Sequence, residues 1–156
     1  MSLSDQAVAG LTSAEQFFNR STRALSEEHS HVRPAPGMMT AAPQMAHAAQ
    51  TIDRFIEGAF RPEGFDIDFE AHARALESCT SLTAARAWFT KAAAKATLST
   101  KSDAELMAPI AAGPIMGGAP RMAIMSGITD RTAHHRGALT VYARVSGLVP
   151  PMPYMD

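Results

Sequence analysis

Several scarcities frame this chain. Only 6% of its residues are Phe, Trp or Tyr, which disfavours a sheet core built from aromatic and branched side chains. A single cysteine, Cys79, excludes an intrachain disulfide framework. An excess of one charge is also missing: 14 Lys and Arg stand against 15 Asp and Glu, with no basic block. That balance offers no electrostatic footprint for nucleic acid or for an anionic membrane surface. No apolar run approaches the roughly 18 residues that a membrane-spanning helix requires. The first residues lack a basic region followed by an apolar core, so a cytoplasmic protein is the expectation.

What is present points to helices. Alanine and ten methionines supply much of the apolar content, and small or unbranched side chains favour close-packed helices. At 156 residues the chain has the size of one ordinary domain, and a single all-α domain over residues 1–156 is expected.

Ser13-Ala14-Glu15-Gln16 has a capping-box pattern, which predicts a first helix from about Ser13 that carries Phe17, Phe18 and Leu25 inward and ends before Pro34. Arg33-Pro34-Ala35-Pro36-Gly37 reads as a linker. Thr40 is placed to cap a second helix running to about Phe60, with Pro43 tolerated in its first turn. Residues 66–78 read as a short or irregular helix, and Ser81 or Thr83 opens a longer one through Trp88, Phe89 and Ala92 to about Leu98. Ser102 to Leu106 adds a helical turn. Pro109, Gly113, Pro114, Gly117, Gly118 and Pro120 then punctuate a long loop, of a kind often functional in compact domains. The last helix runs from about Pro120 to Val145 and stops at Gly147, before the tail Pro150-Pro151-Met152-Pro153. The sum is a four-helix bundle with a long loop between its third and last helices and a Pro-rich C-terminal tail.

Two of the six histidines lie in the last helix. Read at a 3-4 alternation, Ile124, Ile128, Arg131, His135, Ala138, Tyr142 and Val145 form one stripe facing the bundle. Successive helical residues differ by about 100°, so His134 and His135 do not share a direction. His135 is the inward one, as a structural core histidine or a metal ligand. Arg131 precedes it by one turn. Its guanidinium stays protonated and does not coordinate a metal, so it either finds partners in the interior or extends to solvent from the edge of the stripe. Periodicity places His47 on a polar shoulder with Gln44, Thr51 and Arg54, away from Ile52 and Ile56. His29, His31 and His72 lie among acidic residues, where solvated positions or helix ends suit them. Cys79 has no evident activating neighbour. Residues 113–118 lack the lysine and hydroxyl residue of a phosphate loop.

With these pieces placed, the chain resembles the DinB/YfiT-like family of four-helix bundles over most of its length. The resemblance is carried by residues 33–40, by Met45-Ala46-His47-Ala48-Ala49-Gln50-Thr51, by His134-His135-Arg136-Gly137-Ala138-Leu139-Thr140-Val141-Tyr142, and by the tail Val149-Pro150-Pro151-Met152-Pro153-Tyr154. It implies a divalent metal, zinc or nickel, held by one histidine of the second helix and an H-x-x-x-H pair of the last. Carried over by position, His47 and His135 match the outer ligands, and the middle one falls on Arg131. The implied triad is incomplete, and weak or absent metal binding is expected, since catalytic zinc ordinarily has three protein ligands.

The resemblance implies a metal-dependent thiol S-transferase or hydrolase-like enzyme, with the Gly/Pro loop shaping the acceptor pocket. The competing reading is a non-enzymatic, homodimeric bundle in which Arg131 fixes a small anion between His47 and His135. A stress-associated protein with a vestigial pocket is a third. No nucleic-acid or membrane partner is expected.

Overall fold

The computed structural model describes residues 1–91 and 94–155. Helices are its only regular elements among these residues, apart from one isolated antiparallel bridge. They are α1 (Leu3–Thr22), α2 (Ala41–Phe60), α3 (Phe69–Glu77), α4 (Leu82–Lys91), α5 (Ala94–Ser99), α6 (Asp103–Met107) and α7 (Ile124–Val145). The segment expected as one helix from Ser81 to Leu98 is described as α4 and α5, and its expected residue Ala92 lies outside the described residues. No described helix is long and apolar enough to cross a membrane.

α1 begins ten residues before the expected start. Ser2 supplies the capping box, its hydroxyl accepting from the Asp5 N–H while the Asp5 carboxylate accepts from the Ser2 N–H. Ser13 is simply an exposed residue in mid-helix. Phe18 and Leu25 are buried as expected, whereas Phe17 packs edge-on against Tyr154 of the C-terminal tail, with ring centroids 5.1 Å apart. Thr40 stands at the start of α2 but makes no side-chain cap. The chain before it does that work: the Ala41 and Ala42 N–H groups donate to the Val32 and Ser30 carbonyls.

α2 is the central element, packed against both α4 and α7, while α1 packs against α7 and α5. Its first turns bury Ala41, Ala42, Met45, Ala46, Ala48 and Ala49. With side chains this small, both neighbours approach closely and the buried face widens beyond one apolar stripe. The loop after α6 is tied at its root. The Ile110 N–H donates to the Ala119 carbonyl at 2.8 Å, the Gly118 N–H to Ile110 at 3.0 Å, and the Arg121 N–H to Ala108 at 3.0 Å. Ile110 is buried and Leu106 beside it is fully so.

At one end of the bundle α1 meets α4. Arg86 of α4 donates to the Thr22 hydroxyl and to the carbonyls of Thr22 and Leu25, closing the unsatisfied C-terminal turn of α1. Glu27 caps the start of α4, its carboxylate accepting from the Thr83 N–H at 2.7 Å and from the Ser81 and Ser30 hydroxyls.

Candidate functional site

The inward face of α7 consists of Ile124, Ile128, Thr132, His135, Leu139 and Tyr142. His135 is 4% exposed, and His134 is exposed, as helical phase requires. The expected stripe differs in three places, one of them Ala138, which is half-buried while Leu139 beside it is fully buried. Thr132 takes the inward position one turn before His135, and Arg131, a further 100° or so around the helix, is exposed. Val145 is exposed as well, and Ala143 is buried in its stead.

α2 brings His47 onto His135, with ring centroids 4.5 Å apart and planes tilted by 49°. His47 therefore borders His135, whereas periodicity assigned it to a polar shoulder. The alanine-rich breadth of α2's buried face accounts for it, since α2 contacts two neighbours and half-buried His47 lies at the edge of that face. One turn earlier, the Gln44 side-chain nitrogen lies 2.9 Å from His135 Nδ1. Nε2 of His135 is buried and has no hydrogen-bond partner. The amide sets the tautomer: with its NH2 towards Nδ1, the proton sits on Nε2, and turned about it leaves Nε2 a free lone pair.

Two clefts meet at His47. The smaller, about 300 Å³, is lined by His47, Thr51, Arg54, Phe55, Phe65, Phe69, Ile115 and Arg131. The larger, about 550 Å³, lies between the 33–40 segment, α2 and α3, and shares His47, Arg54 and Phe69. Arg54 reaches over the Phe69 ring at 5.2 Å and donates to the Asp66 carbonyl, leaving its Nε buried without a partner. Tyr142, fully buried on α7, donates its hydroxyl to the Met39 carbonyl at 2.7 Å and so anchors the wall of the larger cleft. The long loop contributes Ile115 to the smaller cleft, in keeping with the pocket-shaping role expected of it.

Two helical glycines make room for the smaller cleft's aromatic wall. A Cβ on Gly127 would lie 2.5 Å from the Phe55 ring, and one on Gly58 would lie 2.5 Å from Phe65. The two rings meet edge-on with centroids 5.7 Å apart.

The electrostatics of the site are cationic. Burial, then the Arg131 and Arg54 guanidinium groups, push the His47 pKa below its ordinary value. Burial and the neighbouring His47, His134 and Arg131 push His135 down to about 3, so its ring is neutral near neutral pH. The smaller cleft has no carboxylate among its lining residues. Among the described residues, no group of three or more His, Cys, Asp or Glu side chains is arranged to hold a metal ion. His47 and His135 are placed as a pair, but Arg131, in the family's middle-ligand position, brings a fixed positive charge where a third donor is required. The protein side chains therefore do not fit a three-ligand metal centre, and no reaction step is derived through one.

The remaining histidines divide. His29 accepts from the Ser26 N–H and caps its own turn, and His31 is exposed. His72, expected among solvated residues, instead lines the larger cleft, 3.8 Å from the Asp66 carboxylate. Cys79 is half-buried, its Sγ 3.8 Å from the Ser81 carbonyl. Gln44 and Arg54 shared His47's predicted polar shoulder, yet sequence gave neither a role, because its pattern records direction and not which cleft a polar face borders.

A search of the curated proteins returns no match. The family model that does match is described as the DinB family and spans residues 1–156. The paired histidines of α2 and α7 and the all-helical bundle around them thus sit in a chain that belongs to the DinB family.

Proposed function

We propose that this DinB-family bundle binds a small organic anion against the cationic wall formed by His47, Arg54 and Arg131. The observation that carries the reading is charge without compensation: two guanidinium groups and an imidazole border a cleft whose lining has no carboxylate. Burial, and then Arg131 and Arg54, hold His47 below its usual pKa, and an anion seated there offsets the charge of the two arginines as well as making charge-assisted hydrogen bonds. Arg131 then acts as the ligand-fixing residue in place of a metal ligand. Thermal-shift measurements with small carboxylates test this, since a ligand that prefers the folded state raises the melting temperature. Acetate is expected to stabilise the protein, and Arg131→Gln to reduce that stabilisation. Equal stabilisation by sodium chloride at matched ionic strength would sink the reading.

One observation favours a second reading, a divalent metal held weakly by His47 and His135 in a metal-dependent thiol transferase or hydrolase-like enzyme. The Nε2 of His135 has no partner, and with the Gln44 amide turned to present its oxygen to Nδ1 it would carry the free lone pair that a metal takes. Metal analysis of protein purified without a histidine tag decides it: stoichiometric zinc or nickel, lost in His135→Ala, would replace the anion reading. Under the anion reading the wild type carries no stoichiometric metal, and Arg131→His, which completes an i, i+4 histidine pair, gains zinc affinity.

A further inference from the structure

We propose that the larger cleft is the seat for the apolar body of the ligand, so that the site takes an amphipathic monocarboxylate with its head at His47 and Arg54 and its chain between the 33–40 segment and α3. The inference rests on the anion reading above and adds the chemical class of the ligand.

Three observations carry it. The two clefts are not independent, because His47, Arg54 and Phe69 belong to both. A ligand whose head reaches the cationic wall therefore has its remainder directed into the larger space, whose volume of about 550 Å³ suits a small organic molecule. Away from the shared residues that space is lined by Met38, Met39, Pro43, Ala73 and Leu76, with Arg33 and Glu77 also on its lining; Met38 and Met39 are 38% and 39% exposed, and Phe69, where the clefts join, is 58% exposed. Large apolar side chains left to solvent around one cleft mark a binding surface more readily than scattered ones do, and methionine adapts to chains of varied shape. Finally, the Arg54 Nε is buried, has no hydrogen-bond partner, and belongs to a side chain held in place by the Phe69 ring and the Asp66 carbonyl. Such a donor, left unpaired where the two spaces join, is explained by an acceptor supplied from outside the chain.

The charge pattern chooses among amphiphiles. An alkylammonium would meet the Arg54 and Arg131 guanidinium groups, and a neutral alcohol would leave their charge unanswered. A carboxylate satisfies them, and a single head suffices because the rest of the seat is mainly apolar.

Calorimetric titration of the full-length chain with acetate, butanoate, hexanoate and octanoate at neutral pH, with 1-octanol and octylammonium as controls, tests the proposal. Affinity is expected to rise by about fourfold per added methylene, the factor that burial of one CH2 supplies. Octanoate should bind more tightly than octanol, and octylammonium should not bind. Replacing both rim methionines, Met38→Ser with Met39→Ser, should flatten the dependence on chain length; both are partly exposed, and circular dichroism confirms that the variant folds. If all four carboxylates bind with one affinity, the apolar seat is wrong and the anion reading survives. If octanol or octylammonium matches octanoate, the charged anchor is wrong. If no carboxylate binds, both readings fall together.

Discussion

Arg86 and His135 are both polar side chains drawn into a bundle of small apolar residues, and the bundle treats them in opposite ways. Around Arg86 the accounting is complete: one hydroxyl and two carbonyls receive its guanidinium, and burial pulls its pKa down without leaving a donor idle in the contacts that close α1. Around His135 it is left open, with one ring nitrogen met by Gln44 and the other by nothing. A polar group whose partners are all internal is there to hold helices together. One left unpaired beside a cleft is a cost to the fold that a ligand or a neighbour's movement can offset.

Removing each group tests that contrast most directly. Arg86→Ala strands the Thr22 and Leu25 carbonyls and is expected to cost about 3 kcal/mol in urea denaturation. His135→Leu, at the more deeply buried site, is expected to cost less than about 1.5 kcal/mol, because it removes an unsatisfied atom together with one hydrogen bond. Comparable losses at the two sites would break the comparison.

A smaller effect separates the walls of the site from its charges. Gly127→Ala places a methyl against the Phe55 ring, and the displaced ring is expected to cost about 2 kcal/mol. It should also weaken acetate binding, although no charged residue has changed. An unaltered cleft in a crystal structure of that variant would show that the methyl is accommodated without moving Phe55, and would sink the prediction.

Acid sharpens the comparison further. His135 has a folded pKa of about 3 against an ordinary 6.5, so below 6.5 the unfolded chain binds a proton that the folded one refuses. Stability is therefore complete above 6.5 and falls as the pH drops from there towards 3. Glu27, whose hydrogen bond from the Thr83 N–H lowers it from 4.5 to about 2, contributes above 4.5 and loses its contribution as the pH falls towards 2. In chelator-treated protein, His135→Leu should lessen the fall in stability between pH 6.5 and 3, with His47 and Glu27 supplying what remains. Glu27→Gln should change the pH dependence only below 4.5.

Legibility from sequence followed the same division. The all-helical bundle, the inward turn of His135 and the outward turn of His134 came from periodicity, because burial on a helix face repeats and can be counted. Arg131 was misplaced because a 3-4 alternation after Ile128 permits either residue 131 or 132, and only packing decides between them. His47 defeated periodicity for a different reason: alanines on both sides of α2 bury more than one stripe. The early start of α1 was legible in Ser2 and Asp5, but a second capping pattern at Ser13 competed with it. The aromatic wall behind Gly58 and Gly127 had no sequence signal, since a helical glycine does not announce which ring will fill its missing methyl.

The loop between α6 and α7 is stapled at its root by Ile110, Ala119 and Arg121, while Ile115 at its tip borders the smaller cleft. Tip and root are thus mechanically separate. Substitutions at Gly113 or Ile115 can redraw the rim that a ligand meets without disturbing the two histidines beneath, which lets one scaffold change its clientele while keeping its recognition chemistry.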